Sequence, residues 1–200
     1  MPVGRYDVLA EAGRPVGTEE IRCAAGPAGW RWFSEIETVV PQPHRETVDL
    51  TVDGAWRPVR LRIRTGAHEA VLAVDGDRLV GRRDGEPVDL PFGPASELDY
   101  LTPACNAVTA TRLGRSAEIE VVYLDPYTLA PSLVRQRYEL EGPDEVATPV
   151  GRFEATRWTY TSLDSGWTAR FWLAADLVVA YEGLFELKEL EPGPGGPFPR

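Results

Sequence analysis

The sequence predicts a mainly β protein: a long curled antiparallel sheet wrapped around one short helix. Three observations carry that expectation. Apolar and polar residues alternate with a period of two through most of the chain. Gly, Pro and Asp-Gly turns punctuate these runs at short intervals. One segment near the middle, 96–114, carries helix punctuation instead. A long sheet curled around one helix leaves an interior that the helix need not fill.

The first clear strand runs from Trp30 to Glu37. In the next, Val48, Leu50 and Val52 share one face while Thr47, Asp49 and Thr51 share the other, and Asp53-Gly54 supplies a hairpin turn. Val59, Leu61 and Ile63 then alternate with Arg60, Arg62 and Arg64, which makes the apolar trio the expected buried face. Residues 71–74 and 79–80 form short apolar runs, separated by Asp75-Gly76-Asp77 and followed by Asp84-Gly85.

The exceptional segment predicts a helix over 102–113. Thr102 suits the N-cap, Pro103 the first helical position and Gly114 the C-terminal cap. Cys105, Val108 and Arg112 fall on one face. Thr109 and Thr111 each weaken intrinsic propensity by roughly a few tenths of a kcal/mol, so this short helix needs the sheet for support.

Beyond it the alternation resumes. Ile119, Val121 and Tyr123 alternate with Glu118 and Glu120, and Val134, Gln136, Tyr138 and Leu140 share a face. Strands over 153–160, 167–173 and 177–185 complete the series. Trp167 shares a face with Ala169, Phe171 and Leu173 and is expected inside the roll. Trp172 falls on the opposite face with Thr168 and Arg170, where it is a candidate contact for a partner or a second copy of the chain. The Pro/Gly-rich tail, 191–200, is expected to be disordered, leaving 1–190 as a single domain.

Composition narrows the function classes. Two hundred residues with 43% hydrophobic content suffice for one core. A formal charge of −10, with a pI near 4.8, opposes binding to nucleic-acid phosphates and to anionic membrane surfaces. No stretch reaches the length of a membrane span, and the N-terminal residues show no apolar run of signal-peptide length. The expected location is therefore cytoplasmic, with Cys23 and Cys105 as reduced thiols. They are too far apart for a CxxC motif and fit the role of small buried apolar residues. Lys188 is the only lysine, so the positive charge is almost all arginine, the composition of a GC-rich genome. A single lysine beside Glu186 and Glu189 makes a poor candidate for Schiff-base chemistry or phosphate binding.

Chemical signatures are few. His44 and His68 are the only histidines, and both sit beside turn residues. None of the G-x-S-x-G, H-E-x-x-H, P-loop or G-x-G-x-x-G patterns occurs. Asp75, Asp77 and Glu86 are explained by tight hairpin turns rather than by calcium. No metal or cofactor is expected. The Arg60/Arg62/Arg64 ladder could grip an anionic group from inside a lumen, but it reads better as a solvated face paired with acids such as Asp49, Glu118 or Glu120. Six Trp, seven Tyr and six Phe suit either a packed core or the lining of an apolar cavity.

Three stretches together resemble a bacterial glycolipid-binding family, first catalogued as a domain of unknown function. Val52-Asp53-Gly54-Ala55-Trp56-Arg57 is similar to that family's Asp-x-x-Trp-Arg strand start. Residues 102–113 are similar to its Thr-Pro-x-Thr-Asn-Thr-Leu-Pro-Ile-Arg-Arg-Leu signature, with Thr102, Pro103, Asn106, Arg112 and Leu113 matching directly. The run from Gly166 to Phe185 resembles its closing strand pair. Departures are Cys105 for Thr, Thr109 for Pro, Thr111 for Arg and Glu182 for Pro. The likeness extends over about residues 5 to 190. It implies a spiral β-roll, akin to the open half-barrels of periplasmic lipoprotein carriers, and binding of a lipid or glycolipid.

The expected function is thus non-enzymatic binding of an amphipathic, lipid-like ligand, with no catalytic residues. The candidate ligand-binding residues are Trp56, Asn106, Arg112, Trp158, Trp167 and Tyr181. Asn106 is also expected to be buried and bonded to backbone where helix meets sheet. Expected partners are such a ligand and a second copy of the chain, with no nucleic acid and no membrane insertion. Two alternatives stay open: an enzyme with a site at the mouth of the roll, using Asn106, Arg112 and nearby carboxylates, or a structural module filled by its own helix that acts through a protein partner.

Overall fold

The computed structural model describes residues 3–10, 13–40, 43–191 and 193. Apart from Glu191 and Gly193, the tail expected to be disordered lies outside the described residues.

Fifteen strands and one α-helix are found among these residues: β1 (Val3–Ala10), β2 (Arg14–Gly26), β3 (Gly29–Thr38), β4 (His44–Asp53), β5 (Pro58–Thr65), β6 (Glu69–Asp75), β7 (Arg78–Arg83), β8 (Glu86–Pro91), β9 (Glu97–Asp99), α1 (Pro103–Leu113), β10 (Ala117–Leu124), β11 (Pro131–Thr148), β12 (Gly151–Ser162), β13 (Thr168–Ala174), β14 (Leu177–Tyr181) and β15 (Phe185–Glu191). All fifteen strands belong to one sheet, ordered β8-β7-β6-β5-β4-β3-β2-β1-β15-β14-β13-β12-β11-β10-β9. Each strand therefore lies beside its chain neighbour except at two places. β1 pairs with β15 in the middle of the sheet, and β8 and β9, consecutive in the chain, are its two edges. The edge at β9 curls inward until it approaches β5, and α1 lies against β9 and β14. This is the curled sheet around one short helix that the alternation predicts.

Two details differ from the sequence expectation. Residues 97–99 lie in the segment read as non-strand, yet they form β9, which runs parallel to β10 with α1 as the crossover. Glu97, Leu98 and Asp99 are all buried, so no alternation marks them. Val59 is 41% exposed instead of facing the core. A register shift opposite Thr51 and Val52 turns it outward and puts Pro58 inward, while Leu61 and Ile63 stay buried.

Turn chemistry follows the sequence closely. Asp84 and Gly85, both at positive φ (52° and 86°), connect β7 to β8 as a two-residue hairpin. Gly81 is needed for a different reason: a Cβ there would lie 2.0 Å from the Val71 carbonyl oxygen on the neighbouring strand.

The helix is capped as expected. The Thr102 hydroxyl accepts from the Ala104 N–H, Pro103 opens the first turn, and Gly114, at φ 57°, donates its N–H to the Ala110 carbonyl. Residues 103–110 are buried on every side, the pattern of a helix enclosed by its sheet. A continuous apolar core surrounds it, including Trp32, Leu50, Leu61, Leu72, Phe153 and Phe171. Burial of each such side chain contributes roughly 1.5–3 kcal/mol.

Candidate functional site

A cavity of about 510 Å³ opens where α1, β10–β12 and the β14–β15 turn converge. Its floor is polar and buried: Asp99, Thr102, Asn106 and Gln136. Its wall is largely aromatic and aliphatic, formed by Tyr123, Val134, Tyr160, Tyr181, Leu184 and Phe185. Leu101, Asp164, Ser165 and Trp167 stand at the exposed mouth.

The strand pairing explains this convergence. Antiparallel register sets Tyr138 of β11 opposite Tyr160 of β12, and the parallel β9–β10 pair sets Asp99 beside Tyr123. Gln136 and Tyr138 share the inner face of β11 by period-two alternation. A hydrogen-bonded chain then runs along the floor. Asn106 Nδ2 donates to Tyr138 Oη at 3.0 Å, Tyr138 Oη donates to Gln136 Oε1 at 3.5 Å, and Gln136 Nε2 donates to Asp99 Oδ2 at 2.6 Å. Asn106 is thus buried as expected, but its partner is a tyrosine side chain rather than backbone. Tyr138, on the buried face of β11, places a phenol where a backbone partner was expected.

Burial dominates the electrostatics. It pushes the Asp99 carboxyl up to about 6, against the opposing hydrogen bonds from Gln136 and the Tyr100 backbone. It also raises Tyr138, Tyr160 and Tyr181, with the Asp99 charge adding to each shift. A second buried acid lies behind the floor. Glu19 Oε1 accepts from the Thr102 hydroxyl at 2.5 Å, and burial raises Glu19 to about 8 despite the Thr102 and Ser34 hydroxyls. Tyr100 Oη donates to Glu46 Oε2 at 2.6 Å, completing a polar layer between floor and sheet.

Of the six expected binding residues, Asn106, Trp167 and Tyr181 meet at this cavity. Trp167 is 41% exposed and sits at the mouth instead of inside the roll, because it precedes the β13 ladder. Its ring still faces inward, 5.6 Å from Tyr160 and 6.5 Å from Tyr181. The other three lie elsewhere. Arg112 pairs with buried Glu97 and donates to the Pro94 and Ser96 carbonyls, fastening the link between the two sheet edges. It therefore cannot join Asn106 in a site at the mouth. Trp158 is buried in the core, with its ring parallel to Phe171. Trp56 packs against Trp30 and Trp32 at the β4–β5 turn, 5.4 and 5.3 Å between centroids.

The residues missed by sequence reading are Asp99, Gln136, Tyr138 and Tyr160. Other candidate features prove structural. His44 meets Glu46 at 3.0 Å and His68 meets Asp84 at 2.7 Å, and neither lines the cavity. Arg62 and Arg64 both pair with Glu69 on the adjacent strand, in place of the acids expected. Trp172 is half-buried, and its indole N–H donates to Asp144 at 2.8 Å. Both cysteines are buried and free. Among the described residues, no group of three or more His, Cys, Asp or Glu gathers as a metal site. No helix among them is long and apolar enough to cross a membrane.

No family model matches the chain, and no curated protein matches it in sequence. Solved structures share its fold, among them two from domains of unknown function. One is a DUF1089 family protein from Pseudomonas aeruginosa, with a TM-score of 0.57 at 20% identity over 84% of this chain and 91% of that one. The other is a β-barrel-like protein of a domain of unknown function, DUF1849, from Brucella abortus, with a TM-score of 0.57 at 8% identity over 98% of this chain and 97% of that one. The chain is thus similar in fold, across most of its length, to curled β proteins whose families are of unknown function.

Proposed function

We propose that the protein binds an amphipathic, lipid-like ligand in the cavity between Asp99 and Trp167, without changing it chemically. The observation that carries this reading is the grading of the cavity, from a buried hydrogen-bonding floor through an aromatic wall to an open mouth. Apolar pockets of this size with a few convergent polar groups are the usual way to hold such molecules. The resemblance of residues 102–113 and 166–185 to the glycolipid-binding family supports a ligand of the lipid class. The solved DUF1089 protein supports the curled fold in which such a cavity forms.

Native mass spectrometry on gently purified protein tests the reading. The expected spectrum shows a co-purifying species of lipid mass. Ser162→Trp, which adds a large ring to the cavity lining, should remove it while leaving the melting temperature nearly unchanged. If wild-type protein stays empty after incubation with lipid extracts, the reading fails.

A further inference from the structure

We propose that the head group recognised in this cavity is cationic, a protonated amine or a quaternary ammonium; this rests on the binding reading above. No Arg, Lys or His lines the cavity, and its two charged residues are Asp99 and Asp164. Asp164, at the exposed rim, accepts from the Arg135 backbone N–H at 2.9 Å and lies 4.0 Å from that residue's guanidinium, where solvent screens its charge. Asp99 is different. It is 7% exposed, its Oδ2 takes a neutral amide, and among the described residues it has no basic partner.

Aromatic rings bridge the space between floor and mouth. Tyr160, Trp167, Tyr181 and Phe185 form a continuous series, with successive centroids 5.6, 6.5 and 6.0 Å apart. Ring faces carry negative potential and attract organic cations, most strongly where water is excluded. A buried carboxylate at the end of an aromatic wall adds to that attraction. A carboxylate or phosphate head would meet the same field with no positive charge to receive it, and its desolvation would go uncompensated. Burial places Asp99 near 6, so it is mainly ionised at neutral pH, and a bound cation would hold it so.

Three dodecyl amphiphiles that share a tail and differ in head charge provide the test: dodecyltrimethylammonium, dodecyl maltoside and dodecanoate. Each is titrated below its micelle concentration into the full chain at about pH 7.5, followed by calorimetry and tryptophan fluorescence. The cationic compound should bind roughly tenfold more tightly than the neutral one, and the anionic one most weakly. Asp99→Asn should abolish most of that preference, bringing the cationic affinity down to the level of the neutral compound measured on the same variant. Should Asp99→Asn fail to fold, Trp167→Leu at the exposed mouth decides, and should lower cationic binding more than neutral binding. Equal affinity for the cationic and neutral compounds, or a preference that survives these substitutions, overturns the assignment of charge and leaves the binding reading standing. Failure of all three to bind in a way that Ser162→Trp blocks overturns both.

Discussion

The Gln136 side chain donates its amide N–H to the Asp99 carboxylate at 2.6 Å, across 37 residues of sequence. Its other amide atom accepts from Tyr138, so one glutamine joins the short edge strand β9 to the middle of β11. Both partners are buried. Replacing it leaves a carboxylate without its side-chain donor and a phenol without its acceptor.

Gln136→Leu should therefore lower the unfolding free energy by about 1–3 kcal/mol at neutral pH. The penalty should shrink near pH 5, where Asp99 is protonated and needs no donor. Urea denaturation of both proteins at the two pH values checks this, and an equal penalty at both would remove Asp99 from the explanation.

Thr102 has two roles at once, capping α1 and donating to buried Glu19. Thr102→Ala should lose about 0.5–2 kcal/mol from the cap alone and more from the orphaned carboxyl. Thr102→Ser keeps the hydroxyl and should recover most of the loss, as read in thermal melts.

The buried acids give the stability curve its sign. Glu19, Glu97 and Asp99 are raised to about 8, 7 and 6, each chiefly by burial. In the unfolded chain they ionise near their ordinary values, so over this interval the native state holds more protons. Their contribution is complete below about pH 4 and is lost as pH rises through 6 to 8. Paired surface acids act the other way. Glu20, Glu141 and Asp144 are depressed, the first two chiefly by side-chain bonds to Arg5 and Thr159 and the last by its bond to Trp172. Their exposed contributions fade only in acid. The melting temperature should accordingly peak in mildly acidic buffer and fall toward pH 8. Glu19→Gln should flatten that fall and be the more stable protein at pH 8, in scanning calorimetry across the range.

Arg112→Ala should be costly, about 3–5 kcal/mol, because it leaves Glu97 buried without its cation. Adding Glu97→Gln should restore part of the loss. The ligand readout should be unchanged in the double variant, since neither residue lines the cavity between Asp99 and Trp167. Urea melts and the amphiphile titration measure the two effects separately.

Local chemistry made part of this architecture readable. Thr102, Pro103 and Gly114 bracket α1 because capping depends on neighbours in sequence. Asp84-Gly85 is readable for the same reason. β2 is harder to see, since Glu19 lies on the same buried face as Ile21 and Cys23 and breaks the apolar alternation. β9 is hidden because all three of its residues are buried. Val59 turns on a register shift that only the pairing of β4 with β5 determines. The cavity was legible in its rim and wall, Trp167 and Tyr181, and in Asn106. Its floor was not, because Asp99, Gln136 and Tyr138 come together only after β9, β10 and β11 have paired.

The meeting of β1 with β15 has a kinetic consequence. Val3 lies opposite Glu191 in that pair, and it is the one strand pairing that spans nearly the whole chain. Every other pairing among the described residues joins consecutive strands, so closure of this seam carries the largest single loop-closure cost. A circular permutant that links 191 to 3 through a short tether, and opens the chain within 92–96, would begin at β9 and finish at β8. All its strand pairs would then be sequential. With contact order lowered and the same sheet retained, it should fold faster than the parent.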